Sequence, residues 1–317
     1  MKGRVAAAFM LVGVLWGSAW MLSPSLPRPA MLAGAVRFAS SAALLGVAAA
    51  FMRSRNRGIE SHREDTSITP SLILGVTLVG LPFALAVWAK SLASAGNVAV
   101  LYAAMPLFTA LLGDNSDEVS AAIPVVMIGM GGVAFLVAQG IRYSMRQLGG
   151  VLLLGLAVAL EAWSLNYAKR RIRRGNILTS SAIQCSIAAA LLLLLGGARG
   201  MSLPVRWKVD SVASLTVLSL AEGVVSLPLL LWLLSRIEAW KVASLQWAAT
   251  VIAVAEASLI LHGEPTLLMM LGAVMVLVAV IWLLKSCGAP ESATGVVTLQ
   301  ITSMTESPTE PSKTARD

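Results

Sequence analysis

The chain has 317 residues, of which 57% are hydrophobic and only 13% are charged. Soluble domains contain about 45–50% apolar and about 25% charged residues, so a mean hydropathy of +0.80 excludes an ordinary soluble protein. The net charge of +8 comes mainly from Lys and Arg in short loops beside apolar runs, which argues against a nucleic-acid partner. Length and composition indicate a polytopic membrane protein.

Apolar segments of about 18–24 residues follow one another along the chain. Ten of them are predicted as spans: 5–22, 30–52, 71–89, 94–113, 119–139, 148–168, 177–196, 211–234, 240–261 and 266–284. Each is long enough to cross about 30 Å of hydrocarbon as an α-helix. The sequence shows no β-barrel alternation, so an all-α membrane fold is predicted. The first segment is interpreted as a retained span rather than a signal peptide.

The distribution of Lys and Arg between loops predicts the orientation. With a cytoplasmic N-terminus, sixteen basic residues fall on the cytoplasmic side and seven on the other side. The positive-inside rule then places both termini in the cytoplasm, with the protein in the plasma (inner) membrane. The stretch AKRRIRR at 168–174 is interpreted as a cytoplasmic anchor after the sixth span, with binding of anionic lipid head groups as the alternative.

Two halves of the chain share a pattern. An apolar helix, a short acidic turn and a Gly-containing apolar helix occur in MPLFTALLGDNSDEVSAAIPVVMIGMGGVAFLV and again in ATVIAVAEASLILHGEPTLLMMLGAVMVLVAVIWLL. This predicts a five-helix repeat at 1–140, a second at 141–285, and a disordered cytoplasmic tail at 286–317. Because five spans is an odd number, the two repeats are expected to be inverted in the membrane, an arrangement common in secondary transporters.

Several stretches resemble the drug/metabolite transporter superfamily, specifically its EamA-type ten-span permeases. They are LVGVLWGSAWML, SAGNVAVLYAAMPLFTALL and HGEPTLLMMLGAVMVLVAVIWLL. The positions that match the family motifs are Trp16, Gly17, Arg37, Pro106, Gly263 and Glu264. Two positions depart from the pattern, because Glu161 replaces the counterpart of Trp16 and no proline lies near Val251. The resemblance implies transport of small metabolites, amino acids or drugs through a central cavity by alternating access.

Four charged residues lie within predicted spans and away from the span ends: Arg37, Glu161, Glu222 and Glu256. Each costs about 2.5–3.5 kcal/mol on insertion scales, which makes each a candidate for substrate binding or coupling. Arg37 either contacts substrate, pairs with an acid or extends outward to the membrane surface. Glu256 either reaches that surface or, being close in depth to Arg37, is the acid that pairs with it. Glu222 precedes Gly223 and Pro228, which suits a helix that bends beside a cavity.

Glu161 is the acid that the family resemblance does not explain. A carboxylate that loses its hydration favours the protonated form, so an inward-facing Glu161 could hold a proton and release it when the cavity opens to water. It could also attract a substrate ammonium group or pair with a basic residue, and the sequence leaves these alternatives open.

Aromatic and amide side chains complete the predicted cavity. The remaining candidates are Trp16, Trp88, Tyr102, Trp163, Gln184 and Gln246. Prolines inside the spans, at 82, 106, 124 and 228, are expected to act as hinges or fixed kinks.

The sequence contains no GxxxxGK[ST], HExxH or GxSxG motif, so no cofactor, metal or catalytic residue is predicted. The expected function is secondary transport of a small organic solute, with export as the direction and a proton or counter-solute as the coupling partner. Membrane lipids surround the spans, and the Gly- and Met-rich faces of spans five and ten would permit a homodimer. The alternatives are a membrane-embedded enzyme or assembly factor that uses the intramembrane acids, and a scaffold without transport activity.

Overall fold

The computed structural model describes residues 2–22, 26, 28–55, 68–93, 95–113, 116–138, 144–172, 177–198, 208–260 and 266–286. Every regular element in these ranges is helical, as the apolar runs predict. The tail predicted from residue 286 lies outside the described residues except for Ser286, and so do Gly263 and Glu264.

The first half of the chain contains α1 Lys2–Leu22, α2 Ala30–Arg55, α3 Thr69–Leu74, α4 Leu81–Ala89, α5 Ala95–Ala103, α6 Met105–Leu111 and α7 Ser116–Leu136. The second half contains α8 Met145–Arg171, α9 Ile177–Ala198, α10 Val209–Leu218, α11 Leu227–Leu234, α12 Ala239–Ala243, α13 Leu245–Ile260 and α14 Leu267–Ser286. Two π-helices join α-helices end to end: π1 Gly75–Gly80 links α3 to α4, and π2 Ser219–Ser226 links α10 to α11.

Six stretches of the described residues are long and apolar enough to cross a membrane. They are Ala30–Arg55, Thr69–Lys90, Met145–Arg171, Ile177–Ala198, Val209–Leu234 and Leu267–Lys285. Shorter apolar helices occur at Gly3–Ala19, Gly96–Leu111 and Ala122–Leu136. The predicted span 240–261 is divided between α12 and α13, and neither helix alone is long enough to cross a membrane. The count of ten spans therefore stays a prediction.

Each π-helix ends two residues before a proline. The N–H of Leu81 bonds to the carbonyl of Val76, and the N–H of Leu227 bonds to the carbonyl of Glu222, each five residues back. The next residue, Pro82 or Pro228, has no N–H, so the regular i to i−4 ladder cannot continue through it. The wide π-turns accommodate the prolines without a break in the helix. One of these turns, π2, carries Glu222.

Helices from the two halves pack against each other in pairs: α2 against α9, α7 against α14, α1 against α13, and α4 against α8. Glycines permit the closest of these contacts. A Cβ on Gly132 would lie 2.8 Å from the carbonyl oxygen of Gly272, and a Cβ on Gly272 would lie 2.5 Å from that of Gly132. The glycine faces of α7 and α14 therefore meet within one chain, and the homodimer stays a prediction.

Candidate functional site

Helix α8 runs the length of the molecule and defines its two ends. Near its start, Arg146 donates a 3.3 Å hydrogen bond to the carbonyl oxygen of Ser91. Near its end, the Lys169 ammonium donates a 3.2 Å bond to the carbonyl oxygen of Ile237. We call these the Lys90 end, after the residue before Ser91, and the Lys169 end.

A cavity of about 440 Å³ lies between the helices. The lining residues at the Lys90 end include Arg28, Ala30 and Lys90, all of them exposed. The lining residues toward the Lys169 end are buried; they are Met105, Leu165, Val242 and Ala243. The cavity therefore opens at the Lys90 end and is closed toward the Lys169 end. Its volume lies within the range of about 300–1,000 Å³ that is typical of small-molecule sites.

One wall of the cavity carries an ion pair between α2 and π2. Arg37 Nη1 lies 2.6 Å from Glu222 Oε2, with 10% and 22% of the two side chains exposed. The guanidinium also stacks on the rings of Phe38 and Phe83, at 4.6 Å and 5.1 Å from their centroids. Arg37 Nε is buried and makes no hydrogen bond within the described residues. The pair satisfies the Glu222 charge, and among the described residues the Nε–H of Arg37 has no acceptor.

Helix α2 and π2 are held in register by small polar residues. Ser40 Oγ donates to Ser219 Oγ at 3.0 Å, and Ser41 Oγ donates to the carbonyl oxygen of Ser219 at 2.9 Å. Gly223 lies directly against Ser41, where a Cβ would collide with the hydroxyl. This close approach brings the helix that carries Arg37 next to the π-turn that carries Glu222.

A second wall carries the other acid. Tyr102 on α5 donates a 3.3 Å hydrogen bond from its hydroxyl to Glu161 Oε1 on α8. Within the described residues, Glu161 forms no ion pair with Lys, Arg or His. Glu222 is therefore paired with a cation, whereas Glu161 is held by a neutral phenol.

Six of the ten predicted site residues line this cavity: Arg37, Glu161, Glu222, Trp16, Tyr102 and Gln246. Helix α1 can bring Trp16 to the wall because the neighbouring Gly17 packs against Ile252 and the backbone of Ala249 on α13. The six residues come from six helical segments, so the structure brings together groups that lie far apart in the sequence.

The other four predicted site residues do not line the cavity. Trp163 is exposed and stacks on Tyr167 with ring centroids 5.1 Å apart. Trp88 packs against the hydrophobic core. Gln184 is buried between helices and donates a 3.0 Å bond to Ser180 Oγ, and Glu256 accepts a 2.5 Å bond from Ser18 Oγ.

The hypothesis of an ion pair between Arg37 and Glu256 was wrong. Arg37 pairs with Glu222 instead, and Glu256 is bonded to Ser18 on α1. The predicted depth in the membrane allowed either Glu222 or Glu256 to pair with Arg37. The rotation of each helix about its axis selects between them, and that rotation follows from packing.

Sequence reasoning missed two groups of lining residues. Arg28 and Lys90 were used only as signals of orientation, although both lie at the mouth of the cavity. Phe38 and Phe83, which hold the Arg37 guanidinium, looked like ordinary apolar residues in spans. The only signal for Phe38 was its position beside Arg37.

The Lys169 end is closed by polar contacts between α6, α8 and the segment before α12. Asn166 Nδ2 donates a 2.8 Å bond to the carbonyl oxygen of Thr109, and Lys169 bonds to Ile237. Lys241 Nζ lies 2.7 Å from Glu238 Oε2. Burial alone would raise the pKa of Glu238, but the hydrogen bond from Lys241 and its charge outweigh this effect and lower the pKa. The Glu238 carboxylate is consequently charged at neutral pH.

Within the residues that the structure describes, no group of three or more His, Cys, Asp or Glu side chains is arranged to hold a metal ion. The chemistry that the cavity offers is ion pairing, hydrogen bonding and proton exchange with a bound solute.

Comparisons with known proteins identify the family and the fold of the chain. The sequence model of the EamA-like transporter family matches residues 4–114 and 148–285. The uncharacterized transporter YvbV of Bacillus subtilis (strain 168) is 24% identical over 302 residues, which cover 93% of this chain and 96% of that protein. A crystal structure with 17% sequence identity superposes with a TM-score of 0.68 and covers 96% of this chain and 100% of that chain, so the two share a fold.

The family match extends over both halves of the chain, including the helices that carry the Arg37–Glu222 pair and Glu161. The chain is therefore an integral membrane protein that belongs to the EamA-like transporter family of the drug/metabolite transporter superfamily.

Proposed function

We propose that the protein is a secondary active transporter that exports a small organic solute by alternating access. The observation that carries the proposal is the cavity itself, which places an ion pair and a second carboxylate, held by a tyrosine hydroxyl, among apolar walls. Charged groups inside a membrane protein are costly, so those that are present typically serve binding or coupling. Family membership does not favour the alternative of a membrane-embedded enzyme.

The proposed architecture has ten spans in two inverted five-helix repeats. Matching irregularities support it: π1 and π2 lie in the third and eighth predicted spans, each just before a proline. The helical breaks at Ala104 and Ser244 lie in the fourth and ninth predicted spans. Helices at equivalent positions also pack together, as α2 does with α9 and α7 with α14. An inverted repeat of this kind places the substrate between its halves.

The proposed topology places the Lys90 end outside and the Lys169 end in the cytoplasm of a cell whose plasma (inner) membrane holds the protein. In this orientation the described conformation is open to the outside. Loading from the cytoplasm then requires α6 and α12 to separate from α8. The bonds from Asn166 to Thr109 and from Lys169 to Ile237 are the contacts that break in this step.

We assign the coupling role to Glu161. Its carboxylate lines the cavity and is bonded to a neutral Tyr102, so it can take up and release a proton without the loss of an ion pair. Arg37 also lines the cavity, and its guanidinium can bind an oxygen of the solute. The apolar walls and these two polar groups suit an amphipathic solute.

The test is solute flux in proteoliposomes. A metabolite panel is first screened for an increase in melting temperature, because a ligand that binds only the folded state stabilises it. The best hit is then followed as labelled solute under an imposed pH gradient. The proposal predicts saturable, gradient-dependent flux that Glu222→Gln abolishes and Glu256→Gln retains, since Glu256 does not line the cavity. A solute that binds but is not transported under any gradient would contradict the proposal.

A further inference from the structure

A second concave surface lies on the outside of the helices, at the Lys169 end. It is a groove of about 370 Å³ between α1, α9 and α11. The lining residues are Arg4, Ala8, Ile177, Pro228, Leu229 and Trp232. Arg4 lies in the first turn of α1, Ile177 begins α9, and Trp232 lies in the last turn of α11. The groove thus begins where three helices meet the predicted membrane surface and runs toward the membrane interior along apolar side chains.

Two arginines lie at the end of the groove that carries Trp232: Arg4 in its lining and Arg236 against the indole. Arg4 lines the groove together with Trp232, and the Arg236 guanidinium carbon lies 5.2 Å from the centroid of the Trp232 ring. Both arginines are exposed. Neither forms an ion pair with a carboxylate in the described part of the chain. The head of the groove therefore has two positive charges without an acidic partner among the described residues.

The charge and shape of this groove indicate which kind of ligand it binds. The walls below the arginines are hydrocarbon, which favours an acyl chain over a free anion. The two guanidinium groups favour a phosphate, because their planar N–H groups match its oxygens. Trp near the end of a span is typical of the level of lipid head groups. A molecule with an anionic phosphate head and an apolar tail satisfies all three features.

We propose that the groove formed by Arg4, Ala8, Ile177, Pro228, Leu229 and Trp232, with Arg236 at its head, binds one anionic phospholipid of the cytoplasmic leaflet. The site is separate from the transport cavity, since the two share no lining residue. It does not depend on the proposed transport function. Anionic lipids of this leaflet attract basic residues near the membrane surface, so the lipid is available on the predicted side.

The experiment is native mass spectrometry of the full-length protein, purified in detergent and titrated with phosphatidylglycerol or phosphatidylcholine. We expect one phosphatidylglycerol to bind in preference to phosphatidylcholine. The double variant Arg4→Gln/Arg236→Gln should weaken phosphatidylglycerol binding by about 25-fold, because each arginine near an anionic lipid contributes a factor of about five. Leu229→Trp, which fills the groove and keeps both charges, should also abolish the preference.

The matched control is Arg53→Gln/Arg55→Gln, which removes two exposed arginines from the last turn of α2, outside the groove. It should leave the preferential binding unchanged. Equal losses in the control and the groove variant would overturn the proposal, since binding would then follow net charge. Retained binding in the groove variant or in Leu229→Trp would also overturn it.

Two further outcomes identify a different occupant and would overturn the proposal. Displacement of the bound lipid by millimolar inorganic phosphate would show an anion site without a role for the acyl chain. A dimer mass that Leu229→Trp abolishes would show that a second copy of the chain covers the groove. Melting temperatures of the variants identify any that fail to fold, and the groove and control variants both keep the cavity intact.

Discussion

Glu161 and Glu222 face the same cavity but have different partners. Glu222 is 2.6 Å from a guanidinium nitrogen, whereas Glu161 accepts one hydrogen bond from Tyr102 at 3.3 Å. Proton uptake by a paired carboxylate leaves its cation without a counter-charge, which is expensive in a buried site. Proton uptake by Glu161 has no such cost. The two acids are therefore expected to play different roles, with Glu222 structural to the site and Glu161 responsible for coupling.

Replacement of Glu161 by Gln should uncouple solute transport from proton movement. Gln keeps the shape and the hydrogen-bonding capacity toward Tyr102 but cannot exchange a proton. In proteoliposomes with a pH-sensitive dye inside, solute-driven proton flux should fall to the level of protein-free liposomes, while solute exchange persists. Glu256→Gln is the matched control, because it is the same change at an acid outside the cavity. Wild-type proton flux in Glu161→Gln would remove Glu161 from the coupling mechanism.

The Arg37–Glu222 pair should show strong energetic coupling. Loss of one partner leaves an uncompensated buried charge, so Arg37→Gln and Glu222→Gln should each cost about 3–5 kcal/mol of stability. The double variant should be more stable than the sum of these losses predicts, because no charge remains unpaired. Thermal unfolding of the four proteins in one detergent measures the coupling. Additive losses would mean that the two side chains do not depend on each other.

The sequence predicted which residues carry charge into the membrane but not how they pair. Arg37, Glu161, Glu222 and Glu256 stood out because a charge in an apolar run is costly. Their partners lie 185, 59 or 238 residues away, and the choice depends on helix rotation. Depth alone therefore suggested the wrong partner for Arg37.

At the scale of helices, apolar length predicted where helices form but not their internal irregularities. Prolines were the visible signal: Pro82 and Pro228 follow the π-helices, and Pro106 follows the break at Ala104. The sequence could indicate that the ladder of hydrogen bonds changes there. It could not distinguish a π-turn from a kink, because both relieve the missing N–H of proline. Pro124 lies within α7 without dividing it.

Packing between α7 and α14 should depend on Gly132. A Cβ at this position would lie 2.8 Å from the Gly272 oxygen and from Val276 Cγ2, so Gly132→Ala must push the helices apart. Overpacking of this kind typically costs about 1–3 kcal/mol. Gly131→Ala is the neighbouring control, since its Cβ would meet only the flexible end of Met275 at 3.3 Å. We expect a lower melting temperature for Gly132→Ala alone, and equal effects in the two variants would contradict this interface.

At the scale of the whole molecule, the described conformation has one open and one closed end. The cavity opens at the Lys90 end, where Arg28 and Lys90 are exposed. Contacts of Asn166 and Lys169 close the opposite end. Composition predicted the all-helical membrane fold because long apolar runs can satisfy their backbone in lipid only as helices. It could not predict which end is open, because that depends on the relative stability of two packings of the same helices.

Two-sided labelling of the cavity tests this account most directly. Val79→Cys, a cavity-lining position on π1, is placed in a Cys185→Ala/Cys287→Ala background and reconstituted in liposomes. Leu152→Cys, at a position exposed on the outer surface of α8, is the control. With a membrane-impermeant thiol reagent, we predict that the Val79→Cys variant reacts from the Lys90 side at rest and from the Lys169 side during solute transport. The Leu152→Cys variant should not react from either side. If the reagent never modifies the Val79→Cys variant from the Lys169 side while solute is moving, the cavity is not an alternating-access site.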